Sequence, residues 1–287
     1  MNCFLNAIYN FLALDYRFLN RGNLFSRVLF GFLVLKCCFW LYNFNTQFSN
    51  VLHINNQIPS IGTIKDFAFL LSHLSNDKVN LIVIIFVLLS SVSFIFVKSS
   101  FIWVKIIIWL AVVNLHNFAY AGLSGGDYLL NQFLFFNCFI GFQSISKFQW
   151  LNDLKMILHN LSIISCIILL CLVYVTSGLS KVAHEDWQNG LAISFILKSK
   201  HYSLPWLYDK SIHGWINYIV IFFQLTFCLG ISFKASRKYY LFAGLTFHLL
   251  IFVVMGLFNF SALMLIPYLL LFDIKLPFLF TNKKAGK

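Results

Sequence analysis

Eight stretches of this chain are apolar for about as long as a helix needs to cross a lipid bilayer. They lie at about 24–43, 79–97, 101–119, 128–145, 156–176, 214–233, 239–256 and 258–273. A helix crosses the hydrocarbon core in ~20 mostly apolar residues. No water is present there to bond the backbone, so stretches of this kind read as helices rather than open sheet. The expected fold class is therefore all-α: a polytopic transmembrane helical bundle of about eight spans, with short amphipathic interfacial helices. The last two spans are separated only by a tight turn near Leu257–Phe260.

Composition closes the alternatives. Of the 287 residues, 60% are hydrophobic and only 10% charged, and Phe occurs 35 times. A soluble domain is about 45–50% apolar and about 25% charged, so too little polar surface is present to cover a water-soluble globule. The formal charge of +12 is spread over the ends of apolar runs, as in membrane proteins, and not gathered on one face as a nucleic-acid site would be. Cys3, Cys37, Cys38, Cys138, Cys166, Cys171 and Cys228 form no CxxC pair, and all but Cys3 lie in apolar runs. They read as small buried hydrophobes, not as a disulfide framework or a metal site. Met1–Leu14 carries no basic residue, and Arg17 and Arg21 follow it. That order does not make a secretory signal, so the first span is expected to direct insertion and to stay in the protein.

Three segments read as lying on the membrane: residues 2–20, 62–75 and 187–198. In the first, Phe4, Ile8, Phe11, Leu12 and Phe18 recur at helical spacing. The chain accordingly divides into an amphipathic N-terminal interfacial segment (1–23), a transmembrane domain (24–273) and a short basic tail (274–287). Placing the N-terminus in the cytoplasm puts 14 of the 21 Lys and Arg residues inside and 6 outside, with Lys36 within the first span. The positive-inside bias thus favours both termini in the cytoplasm and the segment 177–213 on the outer face.

Ionisable groups in or beside spans are costly and default to functional hypotheses. The strongest cluster is YVTSGLSKVAHEDWQNG (174–190). Here an apolar helix is expected to end at Ser177-Gly178, with Lys181 one turn beyond, then His184, Trp187 and Gly190. As structure, this is a capped interfacial turn, with Gly178 as the cap and Trp187 as a belt anchor. As chemistry, partial withdrawal from water disfavours an ammonium, which lets a lysine act as a base. His248 lies mid-span and wants a hydrogen-bond partner, either across a helix contact or in a site. Asn114, His116 and Asn117 close the third span, on the same side as Lys181 by the charge count, so one outward-facing pocket could hold both. Asp127 in GGDYLL fits an N-cap, and Arg27 before Gly31 fits a snorkelling anchor. Neither phosphate-binding glycine motif is present.

These pieces, in this order, resemble the HTTM domain, the membrane module of vitamin K-dependent γ-glutamyl carboxylase and its short bacterial relatives. The matching segments are RVLFG (27–31), His116-Asn117 before GGDYLLNQFLFF (125–136), the G-x-x-K…W-x-x-G piece from Tyr174 to Gly190, and FHLLIFVVMGLFNFSALM (247–264). The resemblance implies an integral protein of a bacterial inner membrane whose site faces outward. It implies Lys181 as the catalytic base, with His248 and His116 beside it and Asn117, Trp187, Asn114 and Tyr174 lining the pocket. It implies a reduced, vitamin K-like quinone as cofactor and a secreted or periplasmic peptide or protein as substrate. Two departures stand out. The carboxylase continues after its spans into a large domain that binds its substrate, whereas a short tail follows Phe272 here, and the chain from Gly178 to Trp187 is one residue longer. A short branch of the same superfamily assists maturation or export of a peptide toxin. The competing expectation is therefore a non-catalytic accessory protein for a secreted peptide. A transporter is disfavoured, because no repeated halves are seen.

Overall fold

The structure is a computed structural model that describes residues 19–48, 77–96, 101–119, 123–141, 148–198 and 210–272. The expected interfacial segment 62–75, the tail 274–287 and nearly all of segment 2–20 lie outside the described residues. Every regular element among the described residues is α-helical. The chain forms two compact units, the first reaching Ile163 and the second starting at Ile164.

The first unit contains α1 (Leu19–Tyr42), α2 (Phe44–Phe48), α3 (Asp77–Phe96), α4 (Ile102–Phe118), α5 (Gly125–Asn137) and the first part of α6 (Gln149–Ala183). The most extensive contact is between α1 and α3, and α4 joins α3 to α5. Phe25, Leu29, Phe30 and Leu33 recur at three- and four-residue spacing on α1 and are all buried. Phe30 stacks on Phe94 of α3 at 4.8 Å between ring centroids, and Phe25 meets Phe133 of α5 edge-on. The second unit holds the rest of α6, then α7 (Glu185–Gln188), α8 (Ala192–Lys198), α9 (Lys210–Ser232), α10 (Lys234–Met255), α11 (Phe258–Leu265) and α12 (Tyr268–Leu271). Here α9 packs on α10, and α10 on α11.

Among the described residues five helices are long and apolar enough to cross a membrane: Asn20–Tyr42, Asp77–Phe96, Gln149–Ala183, Gly214–Ser232 and Lys234–Met255. Their outer faces explain why. In α10 only 17% of the most apolar window is buried, and Phe242, Leu250 and Val253 are exposed. A helix that stays apolar on its unpacked side is suited to a lipid surrounding. The other three expected spans coincide with shorter elements. These are α4, the 13-residue α5, and α11–α12, which is interrupted at Pro267. The expected turn between the last two spans is present. Gly256 ends α10 at φ 66°, and α11 starts two residues later.

Two local expectations are corrected. Gly178 does not cap a helix: α6 runs on to Ala183, with Lys181 in its last turn. A Cβ at Gly178 would sit 2.9 Å from Leu225, so the glycine serves a close approach of α6 and α9. Asp127 is not the N-cap of α5. Ser124 holds that position and Asp127 is the third helical residue, reaching back to accept the Ser124 backbone N–H at 2.8 Å.

Candidate functional sites in the two units

In the first unit Asp127 does more than close a helix. Its Oδ2 accepts from the Ser124 backbone N–H and hydroxyl, while Oδ1 lies 2.6 Å from Nζ of Lys36. Lys36 and Asp127 have 6% and 2% of their side chains exposed, so the charges are paired out of water. A buried pair is tolerated only when close and well bonded, and both conditions hold. The Lys36 ammonium also faces the Trp40 ring at 5.5 Å. His116 completes the cluster. Its Nδ1–H donates to Oδ1 of Asn131 at 2.8 Å, and Trp40 packs edge-on against its ring. Its Nε2 is then the lone-pair nitrogen, and it lies 3.6 Å from Asp127 Oδ1 without a hydrogen bond. Asn114 and Asn117 are half-buried on the same turns of α4.

At the other end of α5, Nζ of buried Lys105 donates to the carbonyl oxygens of Asn137 and Ile140. A helix leaves its last carbonyls without intrahelical partners, and a cation there is favoured by the helix dipole. The short α5 is thus held by Lys36 at its start and Lys105 at its end. Lys105 counted as a positive-inside residue in the sequence; this bond gives it a structural reason of its own. Arg27 is half-buried on α1.

In the second unit the Tyr174 hydroxyl is 2.7 Å from Nε2 of His248 and 2.6 Å from the Tyr268 hydroxyl. All three side chains are buried. The Tyr174 ring stacks on Phe227 at 3.9 Å, and Phe247 and Phe260 flank the imidazole. Nδ1 of His248 is buried and has no hydrogen-bond partner among the described residues. Gly244, one turn before His248, makes room: a Cβ there would lie 1.9 Å from the Tyr268 hydroxyl.

Tyr174, Ser177, Gly178 and Lys181 share one face of α6, and Lys181 lies about two turns, ~10 Å, beyond Tyr174. The ammonium donates to the Ser177 hydroxyl at 2.7 Å, with a longer approach to the Ser177 carbonyl, and sits over the Trp187 ring at 4.9 Å. No carboxylate pairs with it among the described residues. The spacing from Lys181 to Trp187 thus has a geometric meaning: the chain turns at His184 and folds the indole back onto the cation. Gly190 allows that return. It sits at φ 73°, and a Cβ would come within 2.9 Å of Gly214 on α9. Asn217 on α9 then fastens the turn, donating to the Gly190 carbonyl and accepting from the Ile193 N–H.

The residues singled out in the sequence therefore fall into two constellations. His116, Asn117, Asn114 and Asp127 belong to the first unit, and Lys181, Trp187, Tyr174 and His248 to the second. Lys36, Asn131, Ser177, Asn217 and Tyr268 were not singled out. Lys36 could have been, because a lone cation inside a span needs a partner. Tyr268 carried no signal, since a tyrosine in an apolar run reads as core. No family model, curated protein or solved structure matches this chain.

Proposed function

We propose that this protein is a carboxylase-like membrane enzyme of the HTTM type, crossing a bacterial inner membrane about eight times with both termini inside. In this reading Lys181 is the base that removes a proton from its substrate. One observation carries it: Lys181 lies half-buried in the last turn of α6 with no carboxylate partner among the described residues, bonded to the Ser177 hydroxyl and carbonyl and set over the Trp187 ring. Lys36 is neutralised by Asp127, and Lys105, which also lacks a counter-charge among the described residues, is buried with its ammonium tied to the carbonyls of Asn137 and Ile140. A lysine that lacks a counter-charge and is still part-exposed near a helix end is able to shed its proton and accept another.

Further support comes from position. Lys181 lies near the start of α9, where Gly190 and Gln188 are bonded by Asn217 and Tyr218. The basic Lys234, Arg237 and Lys238 follow the other end of that helix. A span that ends in a basic cluster has that end inside, which leaves Lys181 facing outward. The short helices α7 and α8, between α6 and α9, then lie at the outer interface.

The reduced quinone implied by the resemblance fits this donor set. His248 has a buried Nδ1 with no hydrogen-bond partner among the described residues, and Lys181 has N–H groups to spare beyond Ser177. When bound, the quinone supplies the reducing equivalents for oxygen. His248 would hold one of its oxygens, the Tyr174–Tyr268 pair would fix the imidazole, and Lys181 would receive a proton at Nζ. The peptide substrate is a glutamate-containing secreted chain.

The test is incorporation of labelled carbon dioxide into peptide by membranes supplied with reduced quinone. Wild-type membranes are expected to incorporate label, and Lys181→Ala membranes with equal protein to lose it. Equal incorporation by the two would remove Lys181 as base.

A further inference from the structure

A groove of about 490 Å³ opens on the second unit between α6, α9 and the end of α12. Pockets for small ligands occupy ~300–1,000 Å³, so the space is that of a ligand site. Ile168, Cys171, Leu172 and Val175 line one wall, and Cys228 and Leu271 face them. From Ile167 to Val175 the groove follows α6 for roughly 12 Å, at 1.5 Å per residue. Nothing along that length could bond a polar ligand well. At one end the chemistry changes, because Ser232 and Arg237 join the lining.

Arg237 is unusual among the cations of this unit. Its Nε donates to the Ile231 carbonyl at 2.8 Å, which fixes the guanidinium at the groove mouth. Its other N–H groups have no partner among the described residues, and no carboxylate pairs with it. A planar fork with free donors matches the oxygens of a phosphate diester. Lys234 and Lys238, both exposed on the same turns, add positive charge around it.

We infer that this groove binds an anionic phospholipid, with one acyl chain along α6 and α9 and the headgroup phosphate on Arg237. A zwitterionic lipid offers the same chain and phosphate but no net charge, so the basic turn selects the anionic one. The occupant is a bound lipid that braces the α6–α9 contact, independent of Lys181 and of the proposed reaction.

The experiment is native mass spectrometry of the full-length protein released from nanodiscs holding equal phosphatidylglycerol and phosphatidylcholine. Wild type is expected to retain phosphatidylglycerol about fivefold over phosphatidylcholine. Arg237→Gln should abolish the preference. Arg237→Lys, which keeps the charge but gives up the planar fork and its Nε bond, should retain part of it. Cys171→Phe, which fills the groove without touching the charge, should lower retention of both lipids. Equal retention of the two lipids by wild type, or an unchanged preference in Arg237→Gln, overturns the inference. Undiminished retention in a folded Cys171→Phe protein overturns the placement of the acyl chain in the groove.

Discussion

The two units bury polar groups by opposite means. The first buries full charges and ties them down: Lys36 pairs with Asp127 at 2.6 Å, and Lys105 donates to the carbonyls of Asn137 and Ile140. Among the described residues the second buries uncharged groups, the Tyr174–His248–Tyr268 chain among them, and leaves the Lys181 cation half-buried near the end of a helix on an indole. The difference is one of interaction strength. Once both charges are buried, losing one partner of a charge pair costs more than losing a neutral hydrogen bond, so the pair can hold a helix as short as α5 in place. Neutral hydroxyls and imidazole cost less to bury and can exchange protons. The first arrangement suits a scaffold, and the second suits chemistry.

The sharpest way to break that contrast is to remove one charge from the first unit. Lys36→Met leaves the Asp127 carboxylate buried and unpaired, and is expected to cost about 3–5 kcal/mol in stability, read by thermal unfolding in detergent. Adding Asp127→Asn should recover part of the loss. If Lys36→Met unfolds within about 1 kcal/mol of wild type, the pair is no clamp and the contrast fails.

Smaller losses are expected in the neutral network. Gly244→Ala drives a methyl into the Tyr268 hydroxyl and should cost about 1–3 kcal/mol. Tyr174→Phe removes the central hydroxyl and leaves Nε2 of His248 without its partner, for a similar ~1–3 kcal/mol. Because Phe keeps the ring on Phe227, any loss of activity beyond the loss of folded protein reports the hydroxyl's role. The smallest effect on stability belongs to Lys181→Met. It breaks a partly exposed bond to Ser177 and should shift stability by no more than about 0.5 kcal/mol, while abolishing carbon dioxide incorporation. A large stability loss from Lys181→Met would instead place Lys181 with Lys36 and Lys105 as a structural cation.

Much of the bundle was legible because lipid imposes a simple rule: apolar runs become helices. Each of the eight runs overlaps a helical element, five of the helices among the described residues are long enough to cross a membrane, and the turn at Gly256 lies where expected. Lengths were less legible. The apolar run 128–145 reads as a span, yet α5 ends at Asn137, because Lys105 can take up its last carbonyls. The end of α6 was misread for a related reason. Glycine stops many helices, but Gly178 lies against Leu225, and packing on α9 carries the helix one and a half turns further.

By itself the sequence determined the helical class of this protein, its suitability for a lipid solvent and the residue types that would matter, since these follow from hydropathy and the cost of charge in hydrocarbon. It also marked Lys181, whose spacing to Trp187 and Gly190 is local. What only the tertiary structure decided is which buried groups satisfy which. Lys36 and Asp127 lie 91 positions apart in the chain, and Tyr174 meets Tyr268 across 94 positions. No local pattern encodes such pairings. They are settled by helix packing, which paired Lys36 with a carboxylate, tied Lys105 to carbonyls and left Lys181 half-buried beside Ser177 and Trp187.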